Sequence, residues 1–429
     1  MTGDPSAIAP RNGQAGRAVT AAVAGNVLEW YDFAIYAYMA TVIARKFFPA
    51  DNDVTALLAT FAAFGVGFVV RPLGGIVIGR LGDLRGRKTA LLVTIALMAA
   101  GTVMIGLVPA YETIGVAAPV LVVVARLLQG FSAGGEWGGS TAFIVEWAPE
   151  NRRGFYGSLQ QCSVAGGLLL GSGVAALVST VFPAQAVDDW AWRLPFLAGG
   201  LLGPVGLYMR RNIEETPAFA RLARGTALEA TDAERAPGWL AARAFGFTIL
   251  WSVSYYIVLA YMPTFLQRHA ALGRGEALWA TATGLLALVV TIPLAGLLSD
   301  RFGRKPRLFA ACAVFLVLPY PLFDLMLSGA SAATIIAVQV VLALGIALYS
   351  GPGPAAIAEI FPTRGRSLWM STGYSLSVAM FGGFAPFVAT WLIRETGSPV
   401  SPAYYVMAAA AASLAVVFRL EESMGRPLR

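Results

Sequence analysis

Five ionisable side chains fall within stretches of apolar sequence: Glu29, Asp32, Arg71, Arg126 and Glu136. A charge at the centre of a membrane-crossing helix costs about 2.5 to 3.5 kcal/mol on insertion scales, so residues of this kind point to function before packing. Glu29 and Asp32 are three residues apart and Tyr36 follows four further on, which sets all three on one face of a helix. Counted from one end of their helices, Glu29, Asp32, Arg71 and Glu136 reach a depth of about 12 to 21 Å, near the middle of a ~30 Å hydrocarbon core, where they can meet. Arg126 lies farther along. The proton affinity of a carboxylate changes with its burial and with the arginines beside it, so a change of conformation can switch proton uptake and release. Glu29, Asp32 and Glu136 are therefore candidates for proton coupling; the alternative is a permanent ion pair tying helices together.

Arg126 and Arg71 are candidate cations for a carboxylate ligand, because a guanidinium matches a carboxylate as a two-pronged fork and stays charged. The alternative is that they pair internally. Tyr36, Gln129 and Gln160 are candidate ligand contacts, and Gln161 and Gln339 are also uncommon at such depth. Tyr255, Tyr256 and Tyr374, with Trp251, are candidate walls of a cavity; they suit a quaternary ammonium ion, or they simply pack. There is no G-x-x-x-x-G-K-[ST] loop for a nucleotide and no histidine and cysteine cluster for a metal. The single histidine, His269, falls in a loop, and Cys162 and Cys312 sit in apolar runs. No catalytic residue, metal or cofactor is expected. A proton gradient would supply the energy.

The segments that must carry these residues are membrane helices. Of 429 residues, 57% are hydrophobic and 13% charged, against about 25% charged in a soluble globular protein. Twelve apolar stretches are long enough to cross a bilayer, near 18–44, 54–79, 89–108, 116–147, 155–180, 193–210, 241–265, 277–298, 307–327, 332–360, 367–393 and 402–420. The polar N-terminus lacks the basic and apolar pattern of a removable signal peptide. Of the 31 basic residues, 23 fall at the termini and in the even-numbered connections and 6 in the others. Retention of arginine and lysine then puts both termini in the cytoplasm. The net charge of +7 is accounted for by this asymmetry, and no nucleic-acid partner is expected.

The chain also repeats itself. Gly79-Arg80-Leu81-Gly82-Asp83-Leu84-Arg85-Gly86-Arg87-Lys88 returns as Gly296-Leu297-Leu298-Ser299-Asp300-Arg301-Phe302-Gly303-Arg304-Lys305, both fitting G-x-x-x-D-x-x-G-R-K. Glu146 and Pro149 before Arg152 and Arg153 return as Glu359 and Pro362 before Arg364 and Arg366. Offsets of about half the chain imply two related six-helix halves. The expected division is a cytoplasmic tail 1–17, a six-helix bundle 18–210, a cytoplasmic linker 211–240, a second bundle 241–420 and a tail 421–429. The fold class is an all-α membrane protein of twelve transmembrane helices in two pseudo-symmetric bundles.

With these motifs the sequence resembles the major facilitator superfamily. It is similar in particular to the metabolite:proton symporter group, whose members carry proline and betaine, α-ketoglutarate, citrate or shikimate. Gly25 to Phe33, Arg71-Pro72-Leu73-Gly74-Gly75, Arg126 to Ser132 with Gly134-Gly135-Glu136, Trp192 to Phe196 and Glu214 to Phe219 carry that likeness. The resemblance implies proton-driven uptake through the cytoplasmic membrane by alternating access, in a functional monomer. It implies a cytoplasmic gate built from Gly79, Asp83, Gly86, Arg87, Lys88 and Glu146 and from Asp300, Gly303, Arg304, Lys305 and Glu359. Tyr255 and Tyr256 resemble the proline/betaine branch, and Phe381-Gly382-Gly383-Phe384 the citrate and α-ketoglutarate branch. An organic acid stands slightly ahead of a zwitterion, and a passive channel is the alternative of a different class. The long C-terminal coiled coil of osmosensing members does not follow the last span, so osmotic gating by such a tail is not expected.

Overall fold

Twelve helical stretches follow one another among the described residues, several of them interrupted where the backbone pattern fails. The computed structural model describes residues 12–85, 87–134, 137, 140, 141, 144, 145, 148–211, 238–361 and 366–426, some of them, Gly79, Asp83, Arg87 and Lys88 included, by backbone alone. In the first half the helices are α1 (Asn12–Tyr38), α2 (Ala40–Phe47), α3 (Asp53–Val69), α4 (Arg71–Arg85), α5 (Arg87–Leu107), α6 (Ala117–Ser132), α7 (Arg153–Val181) and α8 (Arg193–Arg211). In the second half α9 (Gly238–Ser254) runs through a π-helical segment, Tyr255–Tyr261, into α10 (Met262–His269). There follow α11 (Arg274–Phe302), α12 (Arg304–Val317), α13 (Pro319–Leu327), α14 (Ala332–Ser350), α15 (Gly353–Ile360) and α16 (Arg366–Ser377). A second π-helical segment, Val378–Gly383, leads to α17 (Ala385–Thr396), and α18 (Ser401–Arg419) closes the series.

The breaks have local causes. Pro319 lacks a backbone N–H, and the α12–α13 pair bends by 44° at Leu318. Gly351-Pro352 separates α14 from α15, where proline has no N–H to continue the ladder. Asn52 accepts the Thr55 N–H at 2.9 Å and starts α3. Among the described residues seven stretches are long and apolar enough to cross a membrane and the bent α12–α13 pair makes an eighth, with two shorter apolar helices, Leu92–Leu107 and Ala117–Ser132. The first stretch reaches further than expected. Its backbone is helical from Asn12, inside the anticipated tail, and it breaks at Met39 before continuing to Phe47. The anticipated linker falls largely on residues outside those described.

The two halves meet most extensively where α7 packs along α11. Glycine sets how close they come. A Cβ on Gly154 would lie 2.7 Å from the Gly296 carbonyl oxygen, and one on Gly296 equally close to that of Gly154. Within the first half α3 and α6 cross in the same manner, a Cβ on Gly130 pressing into the Gly67 carbonyl. Small residues at such crossings are what allow membrane helices to approach. Replacing Gly130 by Val should therefore destabilise the protein by about 1–3 kcal/mol, as overpacking does. The check is thermal unfolding of the detergent-purified variant; an unchanged melting temperature would show that the crossing tolerates bulk.

Candidate functional site

Arg126 is fully buried and Arg71 is 4% exposed. Both guanidinium groups rest against the Phe33 ring, each carbon 4.9 Å from its centroid. Arg126 also faces the rings of Tyr36 and Phe64 at 4.7 Å, and Arg71 that of Phe68 at 4.6 Å. Arg126 donates to the Gln129 side chain at 2.7 Å and to the Phe64 carbonyl at 3.3 Å. The Arg126 hydrogen bonds thus go to neutral groups, and the Nε of each arginine is buried with no hydrogen-bond partner among the described residues. Aromatic faces attract a cation without neutralising it.

Asp32 takes a different direction from Tyr36, although both lie on α1. The Tyr36 hydroxyl donates to the Thr60 carbonyl on α3 at 3.1 Å. The Asp32 carboxylate lies instead against α5 and α8, where a Cβ on Gly199 would press upon its Oδ1. That oxygen is buried with no hydrogen-bond partner among the described residues. By depth Glu29, Asp32, Arg71 and Glu136 can meet; in the fold Asp32 instead lies against α5 and α8. Glu29 is half-buried and, with Arg71, lies within electrostatic reach of the Tyr256 and Tyr374 hydroxyls.

Between the halves lies a small cavity walled by Trp30, Trp251, Tyr255, Tyr256 and Tyr374 together with Gln161, Val164, Ser252 and Val378. Its volume is about 20 Å³, room for about one water molecule. The Tyr256 hydroxyl and Ser252 Oγ are buried without partners. Trp137 lies flat on Tyr374, ring centroids 3.5 Å apart at 5°, and edge-on to Trp251 at 5.9 Å. Both π-helical segments border this region, Tyr255 and Tyr256 opening the first and Val378 the second. Such turns mark functional sites often enough to be informative.

Bonds join the two halves at both ends of the molecule. On the face bearing the C-terminus, Asp300 accepts the backbone N–H groups of Gly154 and Phe155, each at 2.8 Å, in the first turn of α7. A carboxylate from one half thus sits on the positive end of a helix dipole in the other. Arg304 holds Asp300 at 2.7 Å and Glu359 at 3.4 Å. Gly303, at φ 97°, makes the turn that an L side chain would strain. Lys305 reaches the Phe418 carbonyl at 3.0 Å. Residues expected to form a plain tail fold back here. Glu422 accepts the N–H groups of Arg304 at 2.9 Å and Lys305 at 3.0 Å, Ser423 bonds Glu359, and Arg153 reaches the Arg426 carbonyl at 2.8 Å. Burial works against ionisation of Glu422, but its four backbone N–H bonds, from Arg304, Met424, Lys305 and Ser423, outweigh it and hold the carboxyl below its usual range. On the opposite face Arg268 pairs with Asp53 at 2.9 Å, while Asp188 accepts from Arg45 at 2.7 Å and Arg274 at 2.9 Å.

The structure thus brings Arg71, Arg126, Tyr36 and Gln129 together, and Tyr255, Tyr256 and Tyr374 together, and joins Asp300, Gly303, Arg304, Lys305 and Glu359. Gln161, not Gln160, lines the cavity; Gln160 accepts from the Gln161 amide at 2.7 Å. Tyr36 is engaged by α3 and Arg126 and does not border the cavity. Glu136, Glu146 and Gly86 lie outside the described residues, as do the side chains of Asp83, Arg87 and Lys88 and the surroundings of Gly79. Trp137, Ser252 and the opposite-face ion pairs were not anticipated. His269 ends α10 with its ring tilted against Phe265, centroids 5.4 Å apart, not in a free loop.

Residues 17–236 match the family model "Sugar (and other) transporter" and residues 244–427 that of the "Major Facilitator Superfamily". A proline/betaine transporter of Escherichia coli K12 is 34% identical over 97% of this chain and 86% of its own length. A citrate-proton symporter of Klebsiella pneumoniae is 36% identical over 92% of this chain and 90% of its own. Among solved structures, the proton:xylose symporter bound to 6-bromo-6-deoxy-D-glucose superposes with a TM-score of 0.79, covering 98% of each chain at 17% identity. The xylose transporter of E. coli in a partially occluded inward-open conformation does so at 0.77, over 97% of this chain and all of that one, also at 17% identity. Two matched halves, close relatives along nearly the whole chain and a shared fold have one reading: the chain belongs to the major facilitator superfamily.

Proposed function

We propose that the protein is a proton-coupled symporter of a small carboxylate-bearing metabolite, working by alternating access in the cytoplasmic membrane with both termini inside. The observation that carries this reading is the pair of buried arginines sharing the Phe33 ring, Arg126 hydrogen-bonded to neutral groups, beside a cavity between the two halves. The names of its relatives support it, since betaine, proline and citrate all bear carboxylates. Asp32 is the proposed proton site: a buried carboxylate with no cation beside it among the described residues exchanges its proton as its surroundings open and close. Glu29 and Glu136 are the remaining candidates. The arginines favour an organic acid of the citrate or α-ketoglutarate type. The aromatic walls support a second reading, a compact zwitterion such as proline or betaine, because an ammonium group is attracted to ring faces.

Uptake into whole cells, challenged with citrate, α-ketoglutarate, shikimate, proline and glycine betaine, should separate the two. If an organic acid is carried, Arg126→Gln and Arg71→Gln should each weaken its uptake at least about tenfold, as loss of a charge-assisted contact does. Betaine competition without a citrate effect, together with about a tenfold loss in Tyr256→Ala, selects the zwitterion. Asp32→Asn should insert normally yet lose accumulation under an imposed pH gradient; normal accumulation by Asp32→Asn, Glu29→Gln and Glu136→Gln alike would remove the proton assignment. A protonophore should abolish accumulation, whereas a passive channel would continue to conduct. Cysteines placed near Asp188 and Gly273 should react with an impermeant reagent in intact cells, and labelling at Arg224 would invert the topology.

A further inference from the structure

Between Asp32 and Arg126 stands a chain of two neutral side chains whose hydrogen-bond directions are forced. A guanidinium has donors only, so the Gln129 oxygen must face Arg126, as it does at 2.7 Å. The Gln129 amide nitrogen is thereby turned to the other side, where it donates to Thr102 Oγ1 at 2.8 Å. Thr102 therefore acts as acceptor toward Gln129 and keeps one proton to give. It gives that proton to the Met98 carbonyl, one turn earlier in α5, at 3.1 Å. A back-bond of this kind from threonine adds little to a helix and is readily exchanged. The Asp32 carboxylate is the neighbour of this side chain: a Cβ on Gly199 would press on Asp32 Oδ1 and lie 2.9 Å from Thr102 Cγ2. All four side chains are buried.

We infer that Thr102 is a positioning residue that ties the ionisation of Asp32 to the placement of Gln129 and Arg126. The inference rests on the reading of Asp32 as the proton site. When Asp32 loses its proton, a hydroxyl-to-carboxylate bond becomes available, about twice as strong as the bond to a neutral carbonyl. The hydroxyl turns from Met98 to Asp32, its lone pairs turn with it, and the Gln129 amide must follow or lose its acceptor. When Asp32 takes up a proton, the hydroxyl returns to Met98. The charge state of one carboxyl is thus carried to a cation without the two touching.

Nothing else among the described residues offers Asp32 that link. On its own helix the Tyr31 phenol adjoins it and donates to the Pro195 carbonyl at 2.8 Å, Tyr36 is turned to α3, and Glu29, like Arg71 of α4, lies within electrostatic reach of Tyr374. The nearest part of α8 is the bare Cα of Gly199, and Arg193 at its start is committed to the Gly106 and Val108 carbonyls. From α7 come Gly167 and Gly171, packed on the α1 backbone and its rings. On α6 only Arg126 is charged, and it stands behind Gln129.

The test is made in proteoliposomes with radiolabelled citrate or glycine betaine, as the competition panel directs. Counterflow exchange, which needs no net proton movement, is measured beside accumulation driven by a pH gradient over a range of pH. Thr102→Val keeps the shape and removes the hydroxyl. It should exchange within about twofold of the parent but lose about tenfold in driven accumulation, the scale of one hydrogen bond to a charged group, with a flattened pH profile. Thr102→Ser should restore both. Should the valine variant not yield folded protein, Thr102→Ala carries the same comparison. Accumulation equal to the parent at every pH overturns the inference, as does a parallel fall in exchange and accumulation that serine does not rescue, the mark of a packing role. Asp32→Asn is run beside them. If it remains fully coupled the proton site itself is wrong; if it is uncoupled while Thr102→Val is not, only the role of Thr102 falls.

Discussion

Two guanidinium groups buried among the helices of the first half, and the cost of keeping them charged there, set the terms for the surrounding structure. Each costs about 3 kcal/mol to place at the centre of a span, and arginine does not escape by losing its proton. Six ring contacts surround them, from Trp30, Phe33, Tyr36, Phe64 and Phe68. At about 0.5 to 2 kcal/mol apiece, such contacts offset that cost to within its own size. Rings do this without cancelling charge. The aromatic density of α1 and α3 is therefore better explained as a shell that keeps positive charge available than as ordinary core.

The two ends of the molecule are joined by different interactions, and magnitudes separate them. At the C-terminal face Arg304 and Asp300 have side chains 2% and 6% exposed, and Asp300 is further bound by backbone N–H groups of α7. At the opposite face the ion pairs are wet, Asp53 being 65% exposed and Arg45 42%. Exposed pairs contribute about 0–1 kcal/mol each, whereas removing one member of a buried, hydrogen-bonded set costs several. The structure thus holds its C-terminal face by the stronger set of bonds and its opposite face by bonds that water and salt can replace. Residues 421–426 belong to the stronger set, since Glu422 binds the start of α12 and the Arg426 carbonyl is held by Arg153 from the other half.

How far the sequence reveals this depends on what periodicity and composition encode. Apolar runs of about 20 residues mark spans and basic loops mark sides, so the helical stretches and the repeated Asp300 to Lys305 motif are legible in the order of the amino acids alone. Depth is legible as well, because rise per residue is fixed. Azimuth is not. Glu29, Asp32 and Tyr36 share a face by count, yet three neighbouring helices divide that face: Tyr36 goes to α3 and Asp32 to α5 and α8. Gln160 and Gln161 differ by one position and about 100° of rotation, which is why the cavity takes the second of them. Thr102 carries no signal at all, being a threonine in an apolar helix whose importance comes only from what stands on either side of it. The opposite-face pairs join residues 215 and 86 positions apart, a matching that no local pattern contains.

The centre of the molecule supplies the remaining constraint. Trp137 and Tyr374 lie face to face at 3.5 Å and nearly parallel, whereas the ring quadrupoles prefer offset or edge-on contact. The stack is a consequence of the halves being drawn together, because at this separation there is no room for the preferred arrangements. The cavity beside it, at about 20 Å³, is likewise too small for any metabolite, since a single water takes most of it. Both features are relieved by the same motion, separation of the halves at either face. The bonds holding the closed form are thus concentrated at the two ends, while its middle keeps unpartnered hydroxyls at Ser252 and Tyr256 and a ring contact of poor geometry. A ligand that satisfied those groups and slid between the rings would gain most where the closed protein alone is least well bonded, and that difference is what would let binding drive the change from one face to the other.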